Sequence, residues 1–208
     1  MKAITYKHLE LFFIFVFLPI SFMFPYWKWL KLTLGVLGFL YIIFVLLKVE
    51  NEKFKIAPNL NWKLFWKVTF FKFLFMATLT MLFVWATNKS ALFHLPSSNT
   101  KLWIALLFVY SLFSVYPQEL VYRTFFFKRY HNFFANQLAI IFANAVLFSL
   151  GHLFFKNGMV ILLTFLGGLF FAFTYNKTKS TLLVSIEHAI YGCWLFTVGM
   201  GGMLGFPT

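Results

Sequence analysis

Six ionisable residues lie inside long apolar stretches of this sequence: Lys72, Glu119, Arg123, His152, Glu187 and His188. A charged group inside a membrane is costly unless it is paired, so each of these residues is a candidate for a functional site. Glu119, His152 and His188 matter most, because a carboxylate and imidazoles can activate water or bind zinc. The residue types therefore indicate a site inside the membrane.

The three candidate residues are predicted at overlapping depths. Glu119 precedes a turn centred near Phe133 by 14 residues, and His152 follows that turn by 19 residues. At a rise of about 1.5 Å per residue, these separations correspond to about 21 and about 28 Å. His188 lies 10 residues after Thr178, which corresponds to about 15 Å. We therefore expect the three side chains to meet in a polar cavity.

Each candidate has a supporting residue one helical turn away, in three pairs: Glu119 with Arg123, Phe148 with His152, and His188 with Gly192. An acid four residues before a base is the favourable order for a helical ion pair. The ring of Phe148 can hold the imidazole of His152, and Gly192 leaves room beside the imidazole of His188. The pattern predicts that all three candidates are supported by their own helices.

The elements that position these residues must be membrane helices. Only 11% of the 208 residues are charged and 62% are hydrophobic, whereas soluble domains carry about 25% charged residues. Five Glu and no Asp oppose 18 Lys and Arg, for a net charge of +13. These cations separate apolar runs instead of forming one basic face, which excludes a nucleic-acid-binding protein. The single Cys193 excludes an internal disulfide.

Seven apolar stretches approach the length of about 20 residues that a helical span needs: Leu11–Tyr26, Leu30–Leu47, Val68–Ala86, Leu102–Tyr130, Gln137–Phe155, Met159–Tyr175 and Leu182–Met200. The fourth contains 29 residues and would be about 43 Å long. It must therefore tilt, bend at Pro117 or split into two pieces. The predicted fold class is all-α, a polytopic membrane bundle of about seven to eight helices. Gly167 and Gly168 predict a close helix approach.

The distribution of cations predicts the orientation. Twelve Lys and Arg fall on one side of the seven spans and five on the other, with Lys72 inside a span. The richer side should be cytoplasmic, which puts the N-terminus inside and the C-terminus outside. Val49–Lys63 is the one sizeable charged loop. We expect an integral protein of a bacterial inner (cell) membrane.

Three motifs occur in order along the second half of the chain. They read Q-E-L-V-Y-R from Gln118 to Arg123, F-S-L-G-H from Phe148 to His152, and H-A-I-Y-G from His188 to Gly192. In this order they resemble the CPBP (Abi) family of intramembrane endopeptidases, which includes the type II CAAX prenyl proteases. The family pattern is E-E-x-x-x-R, then F-x-x-x-H, then H-x-x-x-N.

The resemblance implies an intramembrane protease that hydrolyses peptide bonds of membrane-associated, in some cases prenylated, proteins without a cofactor. It implies that Glu119 and His152 activate water and that His188 meets the oxyanion. Gln118, Arg123, Phe148 and Gly192 would support them. It also divides the chain into residues 1–101, with three spans outside the family pattern, and a CPBP-like core at 102–208, within one membrane-embedded domain. The expected partners are lipid and a membrane-associated peptide or protein, and no nucleic acid.

Two positions depart from the family pattern. Gln118 stands where the family has the glutamate that activates water, and Gly192 stands where it has the final asparagine. A glutamine does not accept a proton from water at neutral pH. Because successive helical residues point about 100° apart, Glu119 can replace it only if the helix is rotated or bent near Pro117.

Several alternatives stay open at the level of the sequence. Glu119 can be a buried ion-pair partner of Arg123 and not a base. Glu119, His152 and His188 have the composition of a three-ligand zinc site, as in a metalloprotease. The chain can also be a catalytically silent relative that acts as an immunity or assembly partner, or a proton-coupled transporter. Lys72 is predicted to be structural, and Glu187 to face the neighbours of His188 or lipid headgroups.

Overall fold

The computed structural model describes residues 2–53 and 60–205, and of residues 2–4 the backbone alone. Within these ranges the chain forms helices and no strand. The part of the predicted loop Val49–Lys63 from 54 to 59 lies outside the described residues. Eight helices are found in the described ranges: α1 (2–21), α2 (Lys28–Lys48), α3 (Trp62–Thr87), α4 (His94–Ser98), α5 (Thr100–Phe133), α6 (Gln137–Leu150), α7 (Gly158–Thr178) and α8 (Thr181–Val198).

Five of the helices begin where a polar side chain caps the first turn, and at the start of α7 it is Asn157, whose Oδ1 accepts from the backbone N–H groups of Met159 and Val160. Asn61, Asn99 and Asn136 accept a hydrogen bond from the backbone N–H three residues later, at the starts of α3, α5 and α6. Ser180 does the same at the start of α8. Each cap satisfies one of the N–H groups that a helix N-terminus leaves without a partner. The polar breaks in the sequence therefore fix where these helices start.

Six helices are long and apolar enough to cross a membrane: Lys28–Lys48, Trp62–Thr87, Thr100–Phe133, Gln137–Phe155, Gly158–Thr178 and Thr181–Val198. They correspond to the predicted spans from the second to the seventh. The polytopic all-helical fold class is therefore confirmed. The predicted first span, Leu11–Tyr26, falls on α1, which ends earlier, at Ser21, and is not among the six. A crossing by α1 stays a prediction.

The long fourth span is one helical segment of 34 residues, Thr100–Phe133, and no separate piece is split from it. It contains two π-helical turns, Tyr110–Val115 and Leu120–Phe125, on either side of Tyr116–Glu119. Pro117 lies between them, and a proline ring clashes with the carbonyl of the preceding turn. Widened π turns accommodate such a residue without ending the helix. The distortion expected near Pro117 is present as these two turns.

The chain forms two compact units, each made of two separate stretches of sequence. The first unit comprises residues 1–55 and 120–177, and the second comprises 56–119 and 178–208. The predicted division at 101 and 102 follows the family motifs along the chain, and it stays a prediction.

The first unit has a core of aromatic rings. The fully buried ring of Phe15 on α1 contacts the rings of Tyr122, Phe125, Phe126 and Tyr130 on α5. On α7, a Cβ at Gly168 would lie 3.0 Å from the Cα of Ala145 on α6. The close approach predicted for Gly168 is therefore present, because a Cβ there would crowd the backbone of α6.

A buried polar cluster joins α1, α2 and the last part of α5 in the first unit. The Glu10 carboxylate accepts a hydrogen bond at 2.7 Å from Nε of Arg129, and one each from the hydroxyls of Tyr130 and Tyr41. Arg129 also binds Glu50 through Nη1 at 2.9 Å. Because the buried charges are paired and hydrogen-bonded, the cluster can fix α1 and α2 against α5.

In the second unit α8 is held by α3 and α5 through polar side chains. Lys72 of α3 forms an ion pair with Glu187 at 2.9 Å, and Nε1 of Trp194 donates to Oγ1 of Thr80. Nε1 of Trp103 on α5 donates to Oγ1 of Thr197. These bonds set the rotation of α8, and with it the direction in which His188 points.

Candidate active site

Glu119 and His188 form a buried hydrogen-bonded pair in the second unit. Glu119 ends the short α-helical turn between the two π turns of α5, and His188 lies in the middle of α8. Oε1 of Glu119 is 2.7 Å from Nδ1 of His188, and the carboxylate is completely buried. Because an ionised carboxylate only accepts hydrogen bonds, Nδ1 carries the hydrogen. Glu119 therefore fixes the orientation of His188.

The other nitrogen of His188 faces a tyrosine that sequence reasoning missed. The hydroxyl of Tyr110, on α5, lies 3.2 Å from Nε2 of His188. The Tyr110 ring packs edge-on against Phe196 at 4.9 Å between ring centres. The room that Gly192 was expected to leave beside the imidazole is occupied by this ring, since a Cβ at Gly192 would overlap it. A tyrosine hydroxyl inside an apolar span needs a partner, and this was the available signal.

His152 lies in the first unit, two residues after the end of α6. Its Nδ1 is 2.8 Å from the backbone oxygen of Phe148, and its ring lies 4.7 Å from the Phe148 ring between centres. The expected contact between these two residues is therefore present. A carbonyl oxygen only accepts, so Nδ1 carries the hydrogen and Nε2 of the neutral ring carries the lone pair. This tautomer is the one that a general base requires at Nε2.

Arg123 is completely buried in the first unit and lies against two aromatic rings. Its guanidinium carbon is 4.6 Å from the centre of the Phe148 ring and 5.6 Å from that of Phe171. Cation–π contacts of this kind hold a desolvated guanidinium in place. Arg123 thus supports Phe148, which in turn contacts His152. The predicted ion pair between Glu119 and Arg123 stays a prediction.

Gln118 is anchored by a side chain of its own helix. Its Nε2 donates to Oγ of Ser114 at 2.8 Å. Its Oε1 is buried and has no hydrogen-bond partner within the described part of the chain. An amide oxygen in this state accepts a hydrogen bond readily but does not take a proton. The amide of Gln118, where the family has a carboxylate, is therefore held in one orientation by Ser114.

Two of the three residues of the zinc alternative, Glu119 and His188, are hydrogen-bonded to each other in the second unit. Glu119 Oε1 and His188 Nδ1 are 2.7 Å apart with a hydrogen between them, so neither atom is presented to a cation. Across residues 2–53 and 60–205 no group of three or more His, Cys, Asp or Glu side chains could hold a metal ion. We therefore derive no step through zinc.

Two other membrane-embedded charges form a separate buried pair. Lys72 binds Glu187, whose Oε1 also accepts from the hydroxyl of Tyr191 at 2.9 Å. Glu187 is completely buried, so of the two surroundings expected for it, the neighbours of His188 are found and lipid headgroups are not. A structural role for Lys72 agrees with this contact. The sequence contained a signal for this pair. Lys72 and Glu187 are opposite charges in two predicted spans, and charges inside a membrane usually pair with one another.

These features define the class of protein: a polytopic helical membrane protein with a buried carboxylate–imidazole pair and a second, tautomer-fixed histidine. Residues 100–194 match the profile of the family described as type II CAAX prenyl endopeptidase Rce1-like. All three motifs lie within this region, and the match confirms the family resemblance for it. No curated protein and no solved structure matches the chain.

Proposed function

We propose that the protein is an intramembrane endopeptidase that hydrolyses peptide bonds of membrane-associated substrates. The observation that carries the proposal is the buried hydrogen bond between Glu119 and His188 inside the region with the family match. Burying an ionisable side chain inside a membrane protein costs free energy, and such side chains are found mostly at functional sites.

In the proposed reaction His152 is the general base. Its Nε2 accepts a proton from water, and the water oxygen forms a bond to the carbonyl carbon of the peptide. When the carbon–nitrogen bond breaks, His152 returns the proton to the leaving nitrogen, giving a carboxylic acid and an amine. Gln118 takes no proton in this step, because an amide oxygen only accepts hydrogen bonds.

His188 stabilises the negative charge that develops on the carbonyl oxygen of the peptide. Glu119 holds its ring through Nδ1, so that the edge with Nε2 keeps one orientation. In the imidazolium form of His188, Nε2 carries a hydrogen and donates to that oxygen, and preorganised donors of this kind typically contribute about 10²–10³-fold to kcat. Glu119 thereby acts as a positioning residue for His188, and His152 alone takes the proton from water.

The experiment compares the purified protein in lipid with a His152→Ala variant. Prenylated C-terminal peptides and single-span substrates are offered to both, and the products are identified by mass spectrometry. We expect cleavage by the wild type and a loss of about 10²–10⁴-fold in the variant. Equal background cleavage by both proteins would contradict the proposal. Metal analysis of the same sample tests zinc, and we expect a stoichiometry near zero.

A second candidate function is that of a silent relative that binds a membrane peptide or protein. It is favoured by the amide of Gln118, which is anchored on Ser114 at a position where the family has a carboxylate. The Gln118→Glu variant separates the two functions. A large gain of activity would favour the silent relative as the natural state, and an unchanged or lower rate would favour the endopeptidase.

A further inference from the structure

The second π turn of α5 is not followed by a proline. Three π turns occur in the described ranges, and two of them, Phe13–Phe17 and Tyr110–Val115, end two residues before Pro19 and Pro117. A proline ring clashes with a carbonyl of the turn that precedes it, which accounts for these two. The third π turn, Leu120–Phe125, has no proline after it in α5. A contact from another helix is therefore the candidate for what holds this turn.

Asn144 of α6 supplies such a contact. Its side chain is completely buried, and its Nδ2 donates to the backbone oxygen of Tyr122, inside the π turn, at 2.6 Å. A π turn adds one residue to the helical ladder, so one carbonyl at the turn is left out of the regular i→i−4 pattern. A buried carbonyl without a partner is costly, and the amide of Asn144 satisfies the oxygen of Tyr122 from a second helix.

The following turn of α6 contacts the same π turn. Phe148 lies four residues after Asn144, on the same face of the helix. Its ring packs edge-on against the ring of Tyr122 at 5.1 Å between centres, and the guanidinium carbon of Arg123 lies 4.6 Å from its centre. Phe148 also contacts His152 through its ring and its backbone oxygen. The orientation of the π turn is thereby linked to His152 through Phe148.

We propose that Asn144 is a positioning residue of the endopeptidase. Its amide holds the second π turn of α5, so that Tyr122 and Arg123 keep their contacts with Phe148 and the imidazole of His152 keeps its orientation. Asn144 takes no proton itself and acts through Phe148. This inference rests on the proposed function, in which His152 is the general base.

The first test removes the donor and measures the π turn directly. Asn144→Leu has no hydrogen-bond donor in its side chain, so the turn should open more often, and amide hydrogen exchange in a peptide covering residues 120–127 should become faster. The protein is kept in lipid, and the exchange is measured by mass spectrometry. Asn144→Ala takes the place of Asn144→Leu if the larger side chain prevents folding.

Ser149→Ala is the matched control. Ser149 is also a buried side chain of α6, and its Oγ donates to the backbone oxygen of Ile161 on α7 at 2.8 Å. The control therefore loses a hydrogen bond of the same kind to a different helix. It should leave the exchange of residues 120–127 unchanged.

The second test measures steady-state cleavage by the same variants, normalised to the amount of folded protein. We expect Asn144→Leu to lower kcat about 10²-fold with an unchanged KM, because a small displacement of a catalytic group lowers the rate of the chemical step. Asn144→Gln keeps an amide that can donate, and it should retain more of the rate than Asn144→Leu. Ser149→Ala should keep the rate of the wild type.

The two measurements separate this inference from the proposed function. A wild type that cleaves no substrate overturns the proposed function and the positioning role with it, whereas the exchange measurement still decides whether Asn144 holds the π turn. A wild type that cleaves, together with an Asn144→Leu variant of unchanged kcat, overturns the positioning role alone. Unchanged exchange in Asn144→Leu contradicts the hold on the turn, and an equal loss of rate in Asn144→Gln and Asn144→Leu contradicts the role of the donor.

Discussion

At the scale of single residues, the structure gives Glu119 a role that the sequence did not indicate. The sequence left open whether this carboxylate is a base or an ion-pair partner of Arg123. Its hydrogen bond to Nδ1 of His188 makes it the residue that orients an imidazole. A carboxylate in this position selects one tautomer and stabilises a positive imidazolium, as an aspartate does behind the histidine of a serine protease.

At this scale the sequence singled out candidate residues but not their partners. Glu119, His152 and His188 were identified because ionisable residues inside spans are rare. The contact between Phe148 and His152 followed from their spacing on one helix. The partner of Nε2 of His188 could not be predicted, because it depends on how α5 and α8 are rotated about their axes.

Replacing Glu119 with Gln should separate orientation from simple packing. Gln has nearly the same size, but its amide can present either an acceptor or a donor to Nδ1 of His188. We expect a loss of about 10²–10⁴-fold in kcat with a nearly unchanged KM. The measurement is steady-state cleavage in lipid, with circular dichroism to verify the fold. A Glu119→Gln variant with the full wild-type rate would show that the carboxylate has no part in orienting His188.

At the scale of the elements, the spans were predictable and the irregular turns were not. The six apolar helices follow from length and hydropathy, and the Asn and Ser caps mark where several of them start. Pro117 predicted a distortion in α5, but not its kind. Two π turns instead of a break keep the helix continuous, and they determine the side to which Glu119 points.

The same local arrangement occurs in α1, which provides a control. There a π turn, Phe13–Phe17, precedes Pro19 at the second position of the next helical turn. In α5 a π turn, Tyr110–Val115, precedes Pro117 in the same way. Each proline therefore follows a π turn, in different compact units, but a second π turn follows only Pro117, and the turn of Pro19 contacts Leu153–Phe155.

Replacing Pro117 with Ala should raise stability and lower activity. Proline inside a helix costs about 3 kcal/mol relative to alanine, so part of this should appear as a higher midpoint of thermal unfolding. An α5 without the π turns would rotate Glu119 away from His188 and lower kcat. Pro19→Ala should raise the midpoint similarly and lower the rate less, because no second π turn follows Pro19 and Glu119 is not on its helix. Equal rates for the two variants would contradict the role given to the π turns of α5.

At the scale of the whole molecule, the charges decide how the chain lies in the membrane. Twelve of the 18 Lys and Arg fall on the side predicted to be cytoplasmic. The positive-inside rule acts on short loops close to the ends of spans, as they are here. The loops joining α3 to α5 and α7 to α8 should then lie on opposite sides of the membrane.

The orientation can be measured with single cysteines in a Cys193→Ala background. Ser97 lies in the segment between α3 and α5, and Lys177 lies near the end of α7; both side chains are exposed. We expect a membrane-impermeant maleimide to label Ser97→Cys in intact cells, and Lys177→Cys only after permeabilisation, because the cation-rich side faces the cytoplasm.

An N-terminal epitope tag then tests α1: if α1 crosses the membrane, the tag is protected in intact cells. Labelling of both cysteines from outside would contradict the predicted orientation, and an accessible tag with the expected cysteine pattern would leave six crossings.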